Sequence, residues 1–169
     1  MALPNNSDVY NDGGSIDNSI IGTTGGNFEV IDISSTVSAP LIETTDTTIV
    51  NLTAGAEVSE GGVITYTATI EGTNAPENDV TITLSNNTII TITAGTLTGS
   101  VTVDAPTEDV YVDGETLSVT ASVAATDGNY ENLVVGEGST ITPVEIIVTD
   151  TTDTVTVDLT ATASVLEDV

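Results

Sequence analysis

The stretch with the densest chemistry in the chain is Glu108-Asp109-Val110-Tyr111-Val112-Asp113-Gly114-Glu115, which sets four carboxylates within eight residues. Carboxylates this close repel each other unless a cation lies among them. Oxygen ligands with no His or Cys nearby suit a hard ion such as Ca²⁺. Gly114 allows a tight turn, and the strand-like run Thr116 to Ala124 follows at once. The bland alternative is an acidic, solvated loop between strands. The rest of the chain bears on that choice.

The 169 residues include 26 Asp and Glu and no Lys, Arg or His, for a formal net charge of −26. No side chain can therefore form an internal salt bridge. There is no basic patch for nucleic acid or for direct contact with an anionic membrane surface. Self-repulsion of this size predicts a compact state that depends on bound counter-ions. A hydrophobic content of 38% and an abundance of Val, Ile and Thr argue against disorder and for strands. Cys is absent, so no disulfide framework or thiolate site exists. Aromatic residues make up 3% and Trp is absent, which predicts an aliphatic core. No apolar run reaches the length of a membrane span, and Met1-Ala2-Leu3-Pro4-Asn5 does not read as a secretory leader, so the sequence reads as a piece of a longer protein.

An internal repeat divides the chain. Thr45-Asp46-Thr47 and Asn51-Leu52-Thr53-Ala54 recur as Thr152-Asp153-Thr154 and Asp158-Leu159-Thr160-Ala161, an offset of 107 residues. Asp8-Val9-Tyr10 and Asp12-Gly13 recur as Asp109-Val110-Tyr111 and Asp113-Gly114 at an offset of 101. Gly26-Asn27-Phe28-Glu29 matches Gly128-Asn129-Tyr130-Glu131 at 102, so the later copy carries extra residues after Tyr130. A period near one hundred residues is the size of one small β domain. The chain is expected to comprise the C-terminal part of a preceding repeat (1–44), a complete module (45–151) and the first strand of a following repeat (152–169).

Within the whole module, apolar residues alternate with Thr and Ser in seven short runs: 49–54, 64–70, 80–84, 90–92, 97–103, 117–123 and 144–148. Alternation of period two marks half-buried strands, and Gly, Asn and Pro mark the turns between them. The expected fold is all-β, a seven-stranded antiparallel immunoglobulin-like β-sandwich in a tandem array. In such a sandwich the odd-numbered connections share one pole. Glu60 in the first connection, Asp104, Glu108, Asp109, Asp113 and Glu115 in the fifth, and Asp150 after the last strand then converge there. The other pole holds Asp127, Asn129, Tyr130 and Glu131, and stacking of modules brings the two poles together. Asp46 and Asp153 in the linkers, with Asp8 and Asp12 of the partial copy, add oxygen ligands at that joint. Tyr66 reads as core, Tyr111 as packed beneath the fifth connection, and Tyr130 as the only candidate for a contact surface, lying where the neighbouring module should dock.

Ser59-Glu60-Gly61-Gly62, Glu108 to Leu117 and Val148-Thr149-Asp150 resemble the Calx-beta pattern of acidic loops. The Thr-rich, Cys-free repeat, in segments such as Val58 to Thr69 and Gly128 to Leu133, resembles the extender repeats of giant bacterial RTX adhesins of the large-adhesion-protein (Lap) type, including the ice-binding kind. The resemblance implies an immunoglobulin-like sandwich, Ca²⁺ at and between modules, export by type I secretion to the cell surface, and a spacer role. It would place calcium ligands at Glu60, Asp109, Asp113, Glu115 and Asp150. The glycine-aspartate nonapeptides of RTX proteins are absent, and Gly14 stands where Glu115 does, so the loop of the partial copy lacks a ligand.

An enzyme is the least favoured class, because no His, Lys, Cys or Arg is available and no Ser or Thr has a base beside it. A module that binds carbohydrate or another surface is the rival to the spacer. The expected partners are neighbouring repeats. Residues 1–44 cannot bury a core alone. They either stay loosely attached or accept the orphan first strand, Val155 to Val165, from another copy.

Overall fold

A computed structural model describes residues 8–136, 141–161, 163–164 and 167. The expected strand Val155 to Val165 lies in part outside these residues. Two layers of strand enclose one core. The first layer, in spatial order, holds β11 (Asn132–Val135), β3 (Thr47–Ala54), β5 (Val63–Ile70) and β8 (Thr98–Asp104). The second is built from β4 (Glu57–Ser59), β12 (Val144–Thr149) and β9 (Glu115–Val119), continued by β10 (Ala121–Ser122), β6 (Val80–Leu84) and β7 (Ile89–Ile92). The two halves of this second layer join where the chain bends at Thr120. The Ser85 N–H donates to the Thr120 carbonyl at 2.9 Å, and the Thr120 N–H donates to Ser85 Oγ at 3.2 Å.

Alternation explains which face each strand buries. In β5, Ile64, Tyr66, Ala68 and Ile70 point inward, and in β6 Val80, Ile82 and Leu84 do the same. Ile90, Ile92, Val119, Leu133, Ile146 and Val148 complete a core that lies entirely between Val50 and Val148. The core is aliphatic apart from Tyr66 and Tyr130, as the composition predicts. Gly99 lets β8 cross close over β7, since a Cβ there would lie 2.3 Å from the Thr91 carbonyl oxygen.

The structure is all-β, and the seven runs read from alternation are all strands. Three features go beyond that reading. The sixth run is split at Thr120, and β4 and β11 are additional short strands. Most pairs are antiparallel, but β11 runs parallel to β3 and β12 parallel to β4. Alternation reports which face is buried and carries no information on pairing direction, which is why the expected all-antiparallel arrangement needs this correction.

Residues 15–40 form a separate antiparallel hairpin, β1 (Ser15–Ser19) and β2 (Thr36–Pro40), exposed except at Ile16. Ser15 pairs with Pro40 and Ile16 with Ala39, while Thr116 pairs with Ile147 and Leu117 with Ile146. The repeat offsets of 101 and 107 map the first set of pairs onto the second, so the hairpin repeats β9 and β12 in the same register. Residues 151–161 lie outside any strand and are largely exposed. The sequence they copy is β3, which in the module is flanked by β5 and β11.

Candidate metal centre at one pole

Three chain segments meet at one pole. Glu60 follows β4, and its backbone is fixed on two sides. Its N–H donates to the Thr149 carbonyl at 3.0 Å, and the next N–H, of Gly61, donates to Pro106 at 2.7 Å. Gly61 adopts a φ of 68°, which turns the chain back toward β5. Asp150 follows β12 directly. Asp113 arrives on the acidic loop, where Gly114 approaches the end of β12 so closely that a Cβ would lie 3.1 Å from the Val148 carbonyl oxygen. Carboxylate oxygens of Glu60, Asp113 and Asp150 all lie within 4.8 Å of one another.

Glu60 is 6% exposed, and its Oε2, together with Asp150 Oδ1 and Thr151 Oγ1, is buried without a hydrogen-bond partner. Burial, followed by a hydrogen bond and charge from Asp113 and by the charges of Asp150 and Asp109, pushes the Glu60 carboxyl up to about 7. Two carboxylates can hydrogen-bond each other only when one is protonated. A proton or a cation at this pole would relieve the repulsion, and no Lys, Arg or His exists in the chain to supply the charge. An all-oxygen set of this kind could hold a hard metal ion.

The other expected ligands are placed differently. Asp109 lies close enough for its charge to act on Glu60, but its Oδ1 accepts the Tyr111 N–H at 2.7 Å. Glu108 is exposed and packs over Gly61. Asp104 and Glu115 are exposed at the ends of β8 and β9, and Asp153 is exposed beyond β12; none belongs to the three-carboxylate group. Thr151 was not singled out by sequence reasoning, because a hydroxyl in a Thr-rich chain carries no signal by itself.

At the opposite pole several polar groups are committed to structure. Asp127 accepts the Thr81 N–H at 2.7 Å and the Gly128 N–H at 3.1 Å. Asn129 holds a φ of 69° and donates from Nδ2 to Glu77 at 2.7 Å. Glu131 accepts the Asp46 N–H at 2.6 Å. Tyr130, expected as a contact surface where a neighbouring module docks, is fully buried, and its hydroxyl donates to the Asn74 carbonyl at 2.6 Å. Tyr10 covers it, with ring centroids 5.6 Å apart and planes 20° from parallel. The Tyr10 hydroxyl donates to the Ala75 carbonyl at 2.6 Å, the Asn11 N–H to Asn129 at 2.9 Å, and the Glu131 N–H to Val9 at 3.0 Å. Tyr111 also needs correction, since it is 72% exposed rather than packed under its loop.

The partial copy reproduces part of the carboxylate centre. Asp12 and Glu43 stand at the positions of Asp113 and Asp150 by the same offsets, and the Asp12 N–H donates to Glu43 Oε1 at 2.7 Å. Asp8 Oδ1 accepts the Tyr10 N–H at 2.9 Å. Burial pushes the Glu43 carboxyl up; the Asp12 N–H opposes this, and the charges of Glu131 and Asp12 add to it. The acidic end of this segment thus lies near Glu131.

The structure gives a β-sandwich with a carboxylate cluster at one pole, beside a segment that repeats part of its sequence. The chain belongs to the LapA domain family, which matches residues 46–151. No curated protein matches it. The family and fold together point to a structural, surface-associated protein. Among the described residues no helix is long and apolar enough to cross a membrane.

Proposed function

We propose that this chain is a Ca²⁺-stabilised extender segment of a large secreted surface adhesin, without enzymatic activity, as its resemblance to RTX-adhesin extender repeats suggests. In this reading residues 1–44 end one module, 45–151 form a whole one, and 152–169 open the next. The observation that carries it is the Glu60, Asp113 and Asp150 cluster, whose buried oxygens lack partners in a chain with no cationic side chain. Glu60, Asp113 and Asp150 would hold the ion, with Thr151 and Asp109 beside them. Bound calcium supplies the positive charge that lets three strand ends meet. The matching register of β1–β2 and β9–β12 supports the division into copies.

The test is thermal unfolding with millimolar Ca²⁺, with chelator, and with Mg²⁺ as control. Binding to the native state alone adds about 2.7 kcal/mol at a hundredfold excess of ligand over Kd. That corresponds to a rise of several degrees in Tm for a domain of this size. A rise specific to Ca²⁺ is expected. An unchanged Tm would sink the calcium reading and leave the family assignment standing. The exposed hairpin and the unpaired 155–161 segment also suit exchange of strands between copies. Concentration-dependent light scattering reads this out, and a strict monomer at all concentrations excludes it.

A further inference from the structure

Val110, Tyr111 and Val112 form an apolar patch on the acidic loop, 54, 72 and 92% exposed. Exposed apolar side chains in a row at the tip of a charged loop call for a partner. The repeat supplies a view of one. Asp8-Val9-Tyr10 is the same sequence one copy earlier, and there the tyrosine is seated on the pole formed by Ala75, Asn129 and Tyr130. We propose that Val110-Tyr111-Val112 is a plug that docks on the Tyr130 pole of a second copy of this domain. The inference rests on the reading of the chain as tandem copies.

Two observations carry it. The free loop shares a turn with the docked one: the Tyr111 N–H is held by Asp109 Oδ1 at 2.7 Å just as the Tyr10 N–H is held by Asp8 at 2.9 Å. That turn is already formed before docking, which lowers its cost. The polar contacts in the seated copy are also made by groups the free loop retains. The Val110 carbonyl would accept from the Glu131 N–H of the second copy, the Val112 N–H would donate to its Asn129 carbonyl, and the Tyr111 hydroxyl to its Ala75 carbonyl. Val112 replaces Asn11, but the bond Asn11 makes is through its backbone N–H, which Val keeps. The contact is small, and tethering raises the local concentration to the order of millimolar for a short linker, so a weak contact suffices.

The test uses the whole chain in two opened forms, Tyr10→Gly and a chain begun at Gly13, which lacks the seated loop altogether. Every fully buried hydrophobic residue lies between Val50 and Val148 and is unchanged in both forms. Of the partly buried hydrophobic residues packed against that core, both forms lose Tyr10 and the shortened chain also loses Val9. The probe is a capped synthetic peptide spanning residues 107–116, followed by amide chemical shifts in chelator and again in Ca²⁺. The expected result is shifts at Ala75, Asn129 and Glu131 in both opened forms at millimolar peptide. Several-fold smaller shifts are expected in the intact chain, where Tyr10 competes, and none with the Tyr111→Gly peptide. Absence of shifts at the pole in the opened forms, or equal shifts from the Tyr111→Gly peptide, overturns the proposal. Shifts in both chelator and Ca²⁺ support docking whatever the fate of the metal site, whereas a Ca²⁺-dependent Tm with no peptide binding refutes docking alone.

Discussion

Glu60 carries the largest electrostatic burden of any single residue here. Its carboxyl is pushed up to about 7 by burial and by three neighbouring acids, above an ordinary value of 4.5. An acid with a raised folded-state pKa keeps its proton longer in the native state than in the unfolded chain. Metal-free stability from this group is therefore full below about pH 4.5 and is lost as pH rises through about 7. Glu60→Gln should flatten that part of the pH profile, so that in chelator at pH 8 the variant melts above the parent. In Ca²⁺ the order should reverse, because the amide lacks the charge the ion needs. Melts of both proteins at several pH values, with and without chelator, check this; a variant that keeps the full Ca²⁺-dependent rise in Tm removes Glu60 from the site.

At the scale of elements, the strands divide by what covers them. β3 and β5 lie in the interior of a four-stranded sheet with buried inner faces, while β1 and β2 pair only with each other and bury little. Local opening free energy follows burial. Amides of β1–β2 should exchange with solvent orders of magnitude faster than those of β5, and comparable protection would mean that the hairpin has a partner. Gly99 gives a second prediction. A side chain there would press on the Thr91 carbonyl, so Gly99→Val should cost about 1–3 kcal/mol in urea unfolding, the usual range for overpacking.

The same scale explains what the sequence made legible. Inward alternation in Ile64, Tyr66, Ala68 and Ile70 marks β5 without help from structure. The meeting of Glu60, Asp113 and Asp150 also follows from strand order alone. β4 and β11 are three and four residues long, too short for alternation to register, and their parallel pairing comes from tertiary contact. Which acids turn inward was not legible either. Asp127 and Asp109 have the composition of ligands yet spend their oxygens on nearby backbone N–H groups, a choice set by loop geometry. The two tyrosines differ in what lies against them: Tyr10 stacks on Tyr130, whereas Tyr111 is 72% exposed.

Over the whole molecule, 26 negative charges act on each other with no compensating side chain. In chelator, raising ionic strength from about 10 mM to about 150 mM shortens the Debye length from about 30 Å to about 8 Å, which should raise Tm. The gain should shrink once Ca²⁺ is present. Salt-independent melting in chelator would show that the charges lie too far apart to matter.

The parallel pairing of β4 with β12 has a mechanical consequence. β12 is the last strand of the module and β4 the second, just after β3, and Glu57, Val58 and Ser59 pair with Ile147, Val148 and Thr149. When the two ends of the module are pulled apart, load that passes beyond β3 makes the parallel β4 and β12 slide past each other. Their bonds then share the load and break together, where an antiparallel pair at one end would unzip one bond at a time. Glu60 and Asp150 sit where this pair leaves the sheet, so an ion between them would act as a rivet at the point where tension enters the module.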